Sequence, residues 1–552
     1  MKKGDSELKP THPDKTKPGL NRIVVETVHY GLQRMLMEKD VAVEMRDGVK
    51  LYLNVFRPDK PGTFPVIMSA DTYGKDEPAE PIYARIPKTG VIGTSLFTAF
   101  ESPDPGFWVP NDYVLVKAAL RGSSHSGGIQ SPLSSMEARD CYELIEWAGI
   151  QAWSNGNVGM NGISYLAMTQ WMVAPMSPPH LKAMSPWEGC NDIYREWAFH
   201  GGIPETFFYR FWYRSQKKKW PEHDIEDLPA NQEAHPLFDE YWADKRADLE
   251  KIEVPMYVGT SWSTQGLHTR GCLQGFRQSA SEYKWLEVHG RKEWEYYYDR
   301  ERLERQKRFF DYFLKGIEND WLDTPRVRLE IRERFFEGMF RLENEWPLAR
   351  TQYEKWYLDG EKELLSTSRV QDDIQITYSV GQDAGEQESV RFRITFDQDT
   401  EITGYMKLKL WVSADGSDDM DLFVGIKKFD RRGKEVYMAD FNHHEQGQVA
   451  TGWLRVSHRE LDEEKSTPFQ PWLKHERLLT LKEGEIVPAE IEIMPSSTLF
   501  RAGESLALVI QGSEIITTGY RYQHKETVNK GRHIIHAGGK YDSHLLVPLV
   551  PS

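Results

Sequence analysis

Six short apolar runs lie between residues 65 and 289: PVIMSA (65–70), YVLVKAAL (113–120), VGMNG (158–162), LKAMSP (181–186), VPMYVGT (254–260) and WLEVH (285–289). Longer amphipathic segments such as MEARDCYELIEWAG separate them. A strand that is apolar on both faces must be covered on both faces, and parallel strands joined by helices meet that condition. The spacing therefore predicts an α/β layer around a mostly parallel sheet. In front of it, VAVEMRDGVKLYLNVFRP (41–58) alternates apolar and polar residues around Asp47-Gly48 and predicts a hairpin. Residues 191–250 break the rhythm with Trp, Tyr, Phe and charges, which reads as a helical insertion after the strand at 181–186. ERLERQKRFFDYFLKG (301–316) predicts an amphipathic helix that ends at its glycine. From about 325 the texture changes to alternating runs, among them YMKLKLWVSA, MDLFVGIKKF and SLALVIQGS, bounded by turn residues. Many strands without intervening helices predict a β-sandwich or jelly roll.

At 552 residues the chain exceeds what one core supports, so two or three domains are expected. The formal charge of −15 argues against a nucleic-acid partner, which would need a basic face. Lys217–Lys219 read as a solvated face. No apolar run reaches the ~18 residues of a spanning helix, so no membrane partner is expected. The first 22 residues show no apolar core of a secretory signal. Three scattered cysteines, Cys141, Cys190 and Cys272, suggest a reducing, cytoplasmic setting without disulfides. His443-His444 with Glu445 has no second ligand group at recognisable spacing, so neither a metal nor another cofactor is expected. The Gly-rich SSHSGG (123–128) lacks the lysine of a phosphate loop and reads as a loop near the mouth of a site. The expected partner is a small molecule, and the sequence leaves room for a homodimer.

The chemistry starts at Ser164. It follows the strand ending at Asn161 and precedes YLAMTQWMVA, a run that suits a helix. That is the strand–turn–helix setting of a nucleophile elbow. The sharp turn needs small neighbours: Gly162 supplies one, and Ala167 partly replaces the glycine that Leu166 displaces. The helix start then directs its free N–H groups at a developing oxyanion.

GNVGMNGISYLAMTQW resembles the elbow of the CocE/NonD hydrolases, the family of cocaine esterase, X-prolyl dipeptidyl aminopeptidases and α-amino-acid ester hydrolases. The likeness extends over MRDGVKLYLNVFRP, LRGSSHSGG, HPLFDEYW, RFFDYFLKG and the C-terminal HAGGKYDSHLLVPLVP, nearly the whole chain. It implies an α/β-hydrolase domain in two parts (1–190 and 251–322), a helical cap (191–250) and a C-terminal jelly roll (323–552). It implies also that Tyr73, in SADTYGKDEP, matches the tyrosine that helps form the oxyanion hole beside the backbone N–H of Tyr165.

The acid and the base depart from the pattern. The family places an aspartate two residues after a tryptophan, where this chain has Trp262-Ser263-Thr264. A threonine carries no negative charge to stabilise a histidinium. Glu188, just past the strand at 181–186, is the candidate replacement. Asp192 is a second candidate, though it also suits a brace at the start of the cap. The family histidine of G-P-W-S-H falls on Trp294, while His289 stands before the glycine at the end of its strand. His289 is the preferred general base, with His268 competing. Trp187, Trp262 and Trp294 are candidate pocket walls. The expected activity is a serine hydrolase that cleaves an ester or amide through an acyl-enzyme on Ser164, with a displaced or degenerate triad. The alternative is a non-hydrolytic acyltransferase, cyclase, isomerase or ligand-binding protein on the same scaffold.

Overall fold

The computed structural model describes residues 24–30, 33–85, 92–381, 388–441, 446–515 and 522–551. The histidine pair 443–444 and residue 445 lie outside them. The described residues begin with antiparallel strands β1 (Val24–Tyr30), β2 (Gln33–Glu44) and β3 (Lys50–Pro58). The hairpin expected at 41–58 is present, and its first strand begins earlier, at Gln33, because β3 continues to pair with it as far as Pro58. Gly48 closes the turn at φ 80°, with its N–H donating to the Met45 carbonyl.

β4 (Phe64–Asp71), β5 (Val114–Ala119), β6 (Ser154–Ile163) and β7 (Leu181–Trp187) then build the parallel layer. β4 lies between β5 and β6, so the strand order reverses there. After β7 the chain makes a π-helical turn (Tyr194–Ala198) and a two-stranded ribbon, β8 (Phe199–His200) with β9 (Ile203–Pro204). The helices Phe208–Lys219, Leu228–Ala234 and Glu240–Ala243 follow. Lys217 and Lys218 are exposed on the last turn of the first of these, as expected for a solvated face. β10 (Met256–Ser261), β11 (Lys284–His289) and β12 (Val327–Arg334) extend the parallel sheet beyond β7. The amphipathic helix Arg300–Lys315 ends where Gly316 adopts φ 68°, a left-handed cap.

β4 and β5 are buried at every position, as the continuous apolar runs require. The side chains of Val66, Met68, Val116, Val158, Met184 and Val258 form the core beneath the helices. Beyond β12 the chain is strand-rich and almost wholly antiparallel. Its longest strand, Thr400–Asp415, pairs with Val487–Phe500 on one side and with Arg532–Ala537 and His544–Val550 on the other. This part has a core of its own, including Leu408, Leu410, Ile491, Leu508 and Ile535. A bridge between Arg332 and Thr498 joins this strand-rich part to β12. Cys141, Cys190 and Cys272 are buried and free. Among the described residues no helix is long and apolar enough to cross a membrane.

Candidate active site

In an open α/β sheet, ligands gather outside the carboxyl ends of the strands near a reversal of strand order. Here those ends carry Tyr73 after β4, Ser164 after β6, Glu188 after β7, Thr264 after β10 and His289 at the end of β11. Ser164 adopts φ 57° and ψ −119°, an unusual conformation for a residue with a side chain, and heads the helix Tyr165–Val173. Such strain persists only where the surroundings hold it in place. Three bonds do so: the Ser164 N–H donates to the Trp187 carbonyl at 2.9 Å, and the Ser164 carbonyl accepts from the Ala167 and Met168 amides.

Packing around the turn explains its small residues. Gly162 has φ 146°, and a Cβ there would stand 2.6 Å from the Leu166 Cβ. Leu166 is wholly buried beneath the turn, so leucine is accommodated where a glycine is customary. Gly162→Ala is expected to lower stability by about 1–3 kcal/mol through this overpacking. A urea denaturation curve with a reduced midpoint and unchanged slope would show it.

The Ser164 hydroxyl neighbours the Tyr73 phenol and the Glu101 carboxyl and opposes the upward shift of both pKa values. Tyr73 is held from three sides. Its N–H and that of Gly74 donate to Asp71 Oδ1, at 2.7 and 3.2 Å. Its ring meets Phe100 and Tyr165 edge-on. Its hydroxyl oxygen accepts from Trp212 Nε1 at 3.1 Å. An indole only donates, so the Tyr73 proton stays available to donate elsewhere. Burial and the Glu101 charge push the phenol well above its usual range, so it stays protonated. The Tyr165 amide, first in its helix, has no intrahelical acceptor by position. The Tyr165 side chain turns away, stacks on Trp212 and donates to both oxygens of Glu137, at 2.9 and 2.7 Å.

Glu188 stands beside the position where the acid is missing. The Thr264 hydroxyl donates to Glu188 Oε2 at 2.7 Å. Burial raises the Glu188 pKa to about 7, against the opposing hydroxyls of Thr264, Ser261 and Thr260. His289 Nε2 is 3.4 Å from Glu188 Oε1, so the structure brings these two together. The ring stacks on Tyr296 at 3.9 Å, and its Nδ1 accepts from the Arg291 N–H at 3.2 Å. Burial lowers the His289 pKa to about 3, and burial lowers that of His268 likewise. Among the described residues no hydrogen bond joins Ser164 to His289 or His268. With Nδ1 occupied and one face covered, the His289 ring is turned to Glu188 instead. Asp192 braces the π-helical turn, accepting from the Arg195 N–H and pairing with its guanidinium at 2.9 Å.

Two of the three tryptophans are not walls of this site. Trp187 is wholly buried against Tyr257, Tyr296 and Tyr297, and a Cβ on Gly259 would lie 2.1 Å from its ring. Trp262 packs on Trp346 and donates to the Glu330 carbonyl at 2.8 Å. Their apolar area is spent on core packing. Trp294 is at the site, and its Nε1 donates to Glu101 Oε1 at 3.0 Å. Glu101, Trp212 and Glu293 are site residues that the sequence did not single out. Glu101 N–H donates to the Tyr83 hydroxyl, and its carbonyl accepts from Ile163 N–H at 3.2 Å, which ties its loop to the residue before Ser164. Among the described residues no His, Cys, Asp and Glu group could hold a metal. His125 of the Gly-rich loop is exposed and faces Asp40.

Residues 47–291 match the family model of X-Pro dipeptidyl-peptidase (S15 family), and residues 319–546 match that of the X-Pro dipeptidyl-peptidase C-terminal non-catalytic domain. Cocaine esterase of Rhodococcus sp. (strain MB1 Bresler) is 25% identical, with 93% of this chain and 98% of that protein covered. An α-amino acid ester hydrolase of known structure shares the fold at a TM-score of 0.70 and 14% identity, covering 98% of this chain and all of that one. A crystal structure of a CocE/NonD family hydrolase from Staphylococcus aureus superposes with a TM-score of 0.93 at 56% identity, over 98% of this chain and 99% of the other. With a strained serine at the elbow and this likeness along its whole length, the chain belongs to the CocE/NonD family of hydrolases.

Proposed function

We propose that this hydrolase cleaves an ester or amide of a small, partly apolar substrate through an acyl-enzyme on Ser164. The observation that carries the reading is the conformation of Ser164, held at positive φ on top of a helix start with its hydroxyl beside Tyr73. Attack by Oγ on a carbonyl carbon would place negative charge on the carbonyl oxygen. The Tyr73 O–H and the Tyr165 N–H are the two donors that would receive it. The aromatic surround of Tyr73, Phe100, Trp212 and Trp294 suits an apolar acyl or leaving group. Glu188 and His289 stabilise the strand ends that form the floor of the site. Residues 191–250 act as the cap over it, and the strands after residue 323 as a jelly roll packed behind. The separate, buried thiols fit a reducing cytoplasm.

A fluorophosphonate probe tests this directly. The expected result is a single adduct on the peptide containing Ser164, identified by mass spectrometry after digestion. A protein that stays unlabelled, or is labelled at another serine, overturns the reading.

A further inference from the structure

The geometry points to Glu101, not a histidine, as the group that takes the proton from Ser164. This inference rests on Ser164 being the nucleophile. Three independent features of the structure place the carboxyl for the task. Trp294 Nε1 donates to Oε1 at 3.0 Å and fixes the plane of the carboxyl. Among the described residues the buried Oε2 has no hydrogen-bond partner, and the Ser164 hydroxyl is close enough to the carboxyl to oppose the rise of its pKa. The Glu101 backbone, at φ 62°, is held between the Tyr83 hydroxyl and the Ile163 amide, so its loop is tied to the strand end that carries the serine. A catalytic hydrogen bond is often loose in an unliganded site and tightens with substrate.

The groups facing Glu101 decide its charge. They are Asp71 and Tyr73 from the end of β4, Tyr83 from its short helix, Ser164 from the elbow, and Glu293 with Trp294 from the helix Glu293–Tyr297. Glu293 is buried near Glu101 and Glu188, and among the described residues its Oε2 has no hydrogen-bond partner. Burial and these two carboxylates hold its pKa well above the usual range. Glu101 is raised too, by burial and then by Asp71, but the Trp294 and Ser164 donors oppose the shift. Two adjacent buried carboxyls do not both ionise readily. Both lie well above the usual carboxyl range, and Glu101, the one with donors, loses its proton before Glu293 does. Glu101 therefore serves as base in the ionised form that the acid limb of a pH profile reports.

The steps then balance. The Ser164 proton moves to Glu101 Oε2 as Oγ bonds to the carbonyl carbon, and the carbonyl π electrons move to the oxygen held by Tyr73 and the Tyr165 amide. Collapse breaks the bond to the leaving group, which takes the proton from Glu101. A water gives a proton to Glu101 and attacks the acyl carbon. Collapse of that second intermediate breaks the bond to Oγ, which recovers the proton as the acid leaves.

The test compares Glu101→Gln, His289→Asn and Ser164→Ala, measuring pre-steady-state acylation by a p-nitrophenyl ester across pH. The isosteric glutamine is expected to slow acylation about 10²–10⁴-fold. It should also abolish the acid limb of the profile, because that limb reports the carboxyl that must lose its proton. His289→Asn should keep the limb and most of the rate. If Ser164→Ala is inactive while Glu101→Gln retains both rate and limb, Glu101 is not the base and the nucleophile reading stands. If Ser164→Ala keeps full activity, the nucleophile reading itself fails and takes this inference with it. Warming the unaltered enzyme provides a measurement that needs no variant to fold. The limb should stay nearly fixed, as carboxyl ionisation does, whereas a limb that moves down in pH on warming marks an imidazole and overturns the assignment.

Discussion

Ser164→Ala is expected to lower kcat/KM for a simple aryl ester by about 10⁴–10⁶-fold, the loss seen when a nucleophile that works as part of a unit is removed. The size follows from what remains. Without Oγ no acyl-enzyme forms, and the two oxyanion donors can only polarise the carbonyl towards a water that nothing in the alanine variant replaces as attacking group. Stability should hardly change in the same variant. The turn is held by backbone bonds from the Ser164 amide to the Trp187 carbonyl and from the Ala167 and Met168 amides to the Ser164 carbonyl, none of which uses the hydroxyl. Parallel measurement of steady-state kinetics and thermal unfolding separates the two effects. A variant retaining more than about a tenth of the rate would place the chemistry elsewhere.

How far the sequence leads differs between scaffold and site. β4 and β5 were legible because a strand covered on both faces has no polar positions to confuse the pattern, and Gly316 marked the helix end because few other residues adopt its left-handed cap. The elbow was legible for a similar reason: its requirements are local, satisfied by Gly162 and by residues within one helical turn. β2 was seen only in part. Its first half, QRMLMEKD, mixes charges into the apolar positions, and its pairing with β3 is what defines it as strand.

The partners of Ser164 were much less legible. Glu188 drew notice because it follows a strand end directly, and the structure sets it against Thr264 and His289. Glu101 arrives from an irregular loop between strands, at positive φ without the glycine or asparagine that would announce such a turn. Trp294 was conspicuous as the residue standing where a histidine is customary, but the sequence could not say what its indole N–H would meet. Trp187 and Trp262 misled for a physical reason. A tryptophan beside a strand end serves equally well as pocket wall or as core, and Gly259 beneath Trp187 tips that choice towards core. Trp212 comes from the insertion, where its partner is decided by how the helix Phe208–Lys219 lies over the sheet.

Tyr73→Phe isolates the oxyanion term, because it deletes one O–H and leaves the ring. The expected loss is about 10²–10³-fold in kcat, the range for removing one donor to a tetrahedral oxygen. KM should move little, since the phenol meets the charge of the transition state more strongly than a neutral carbonyl. The ring contacts with Phe100 and Tyr165 remain, as do the amide bonds of Tyr73 and Gly74 to Asp71, so the loop keeps its place. One consequence is less direct. Trp212 Nε1 loses its acceptor, and a buried donor left without a partner costs about 1–3 kcal/mol. The variant should therefore be measurably less stable as well as slower. The two losses have different sources and can be separated by adding a second change, Trp212→Phe. That double variant should recover part of the stability, because the stranded N–H is gone, and none of the rate, because the phenol is still absent. Steady-state kinetics and urea unfolding on the two variants provide the check. Recovery of rate in the double variant would mean that Tyr73 acts by holding Trp212 in place and not by donating to the substrate oxygen.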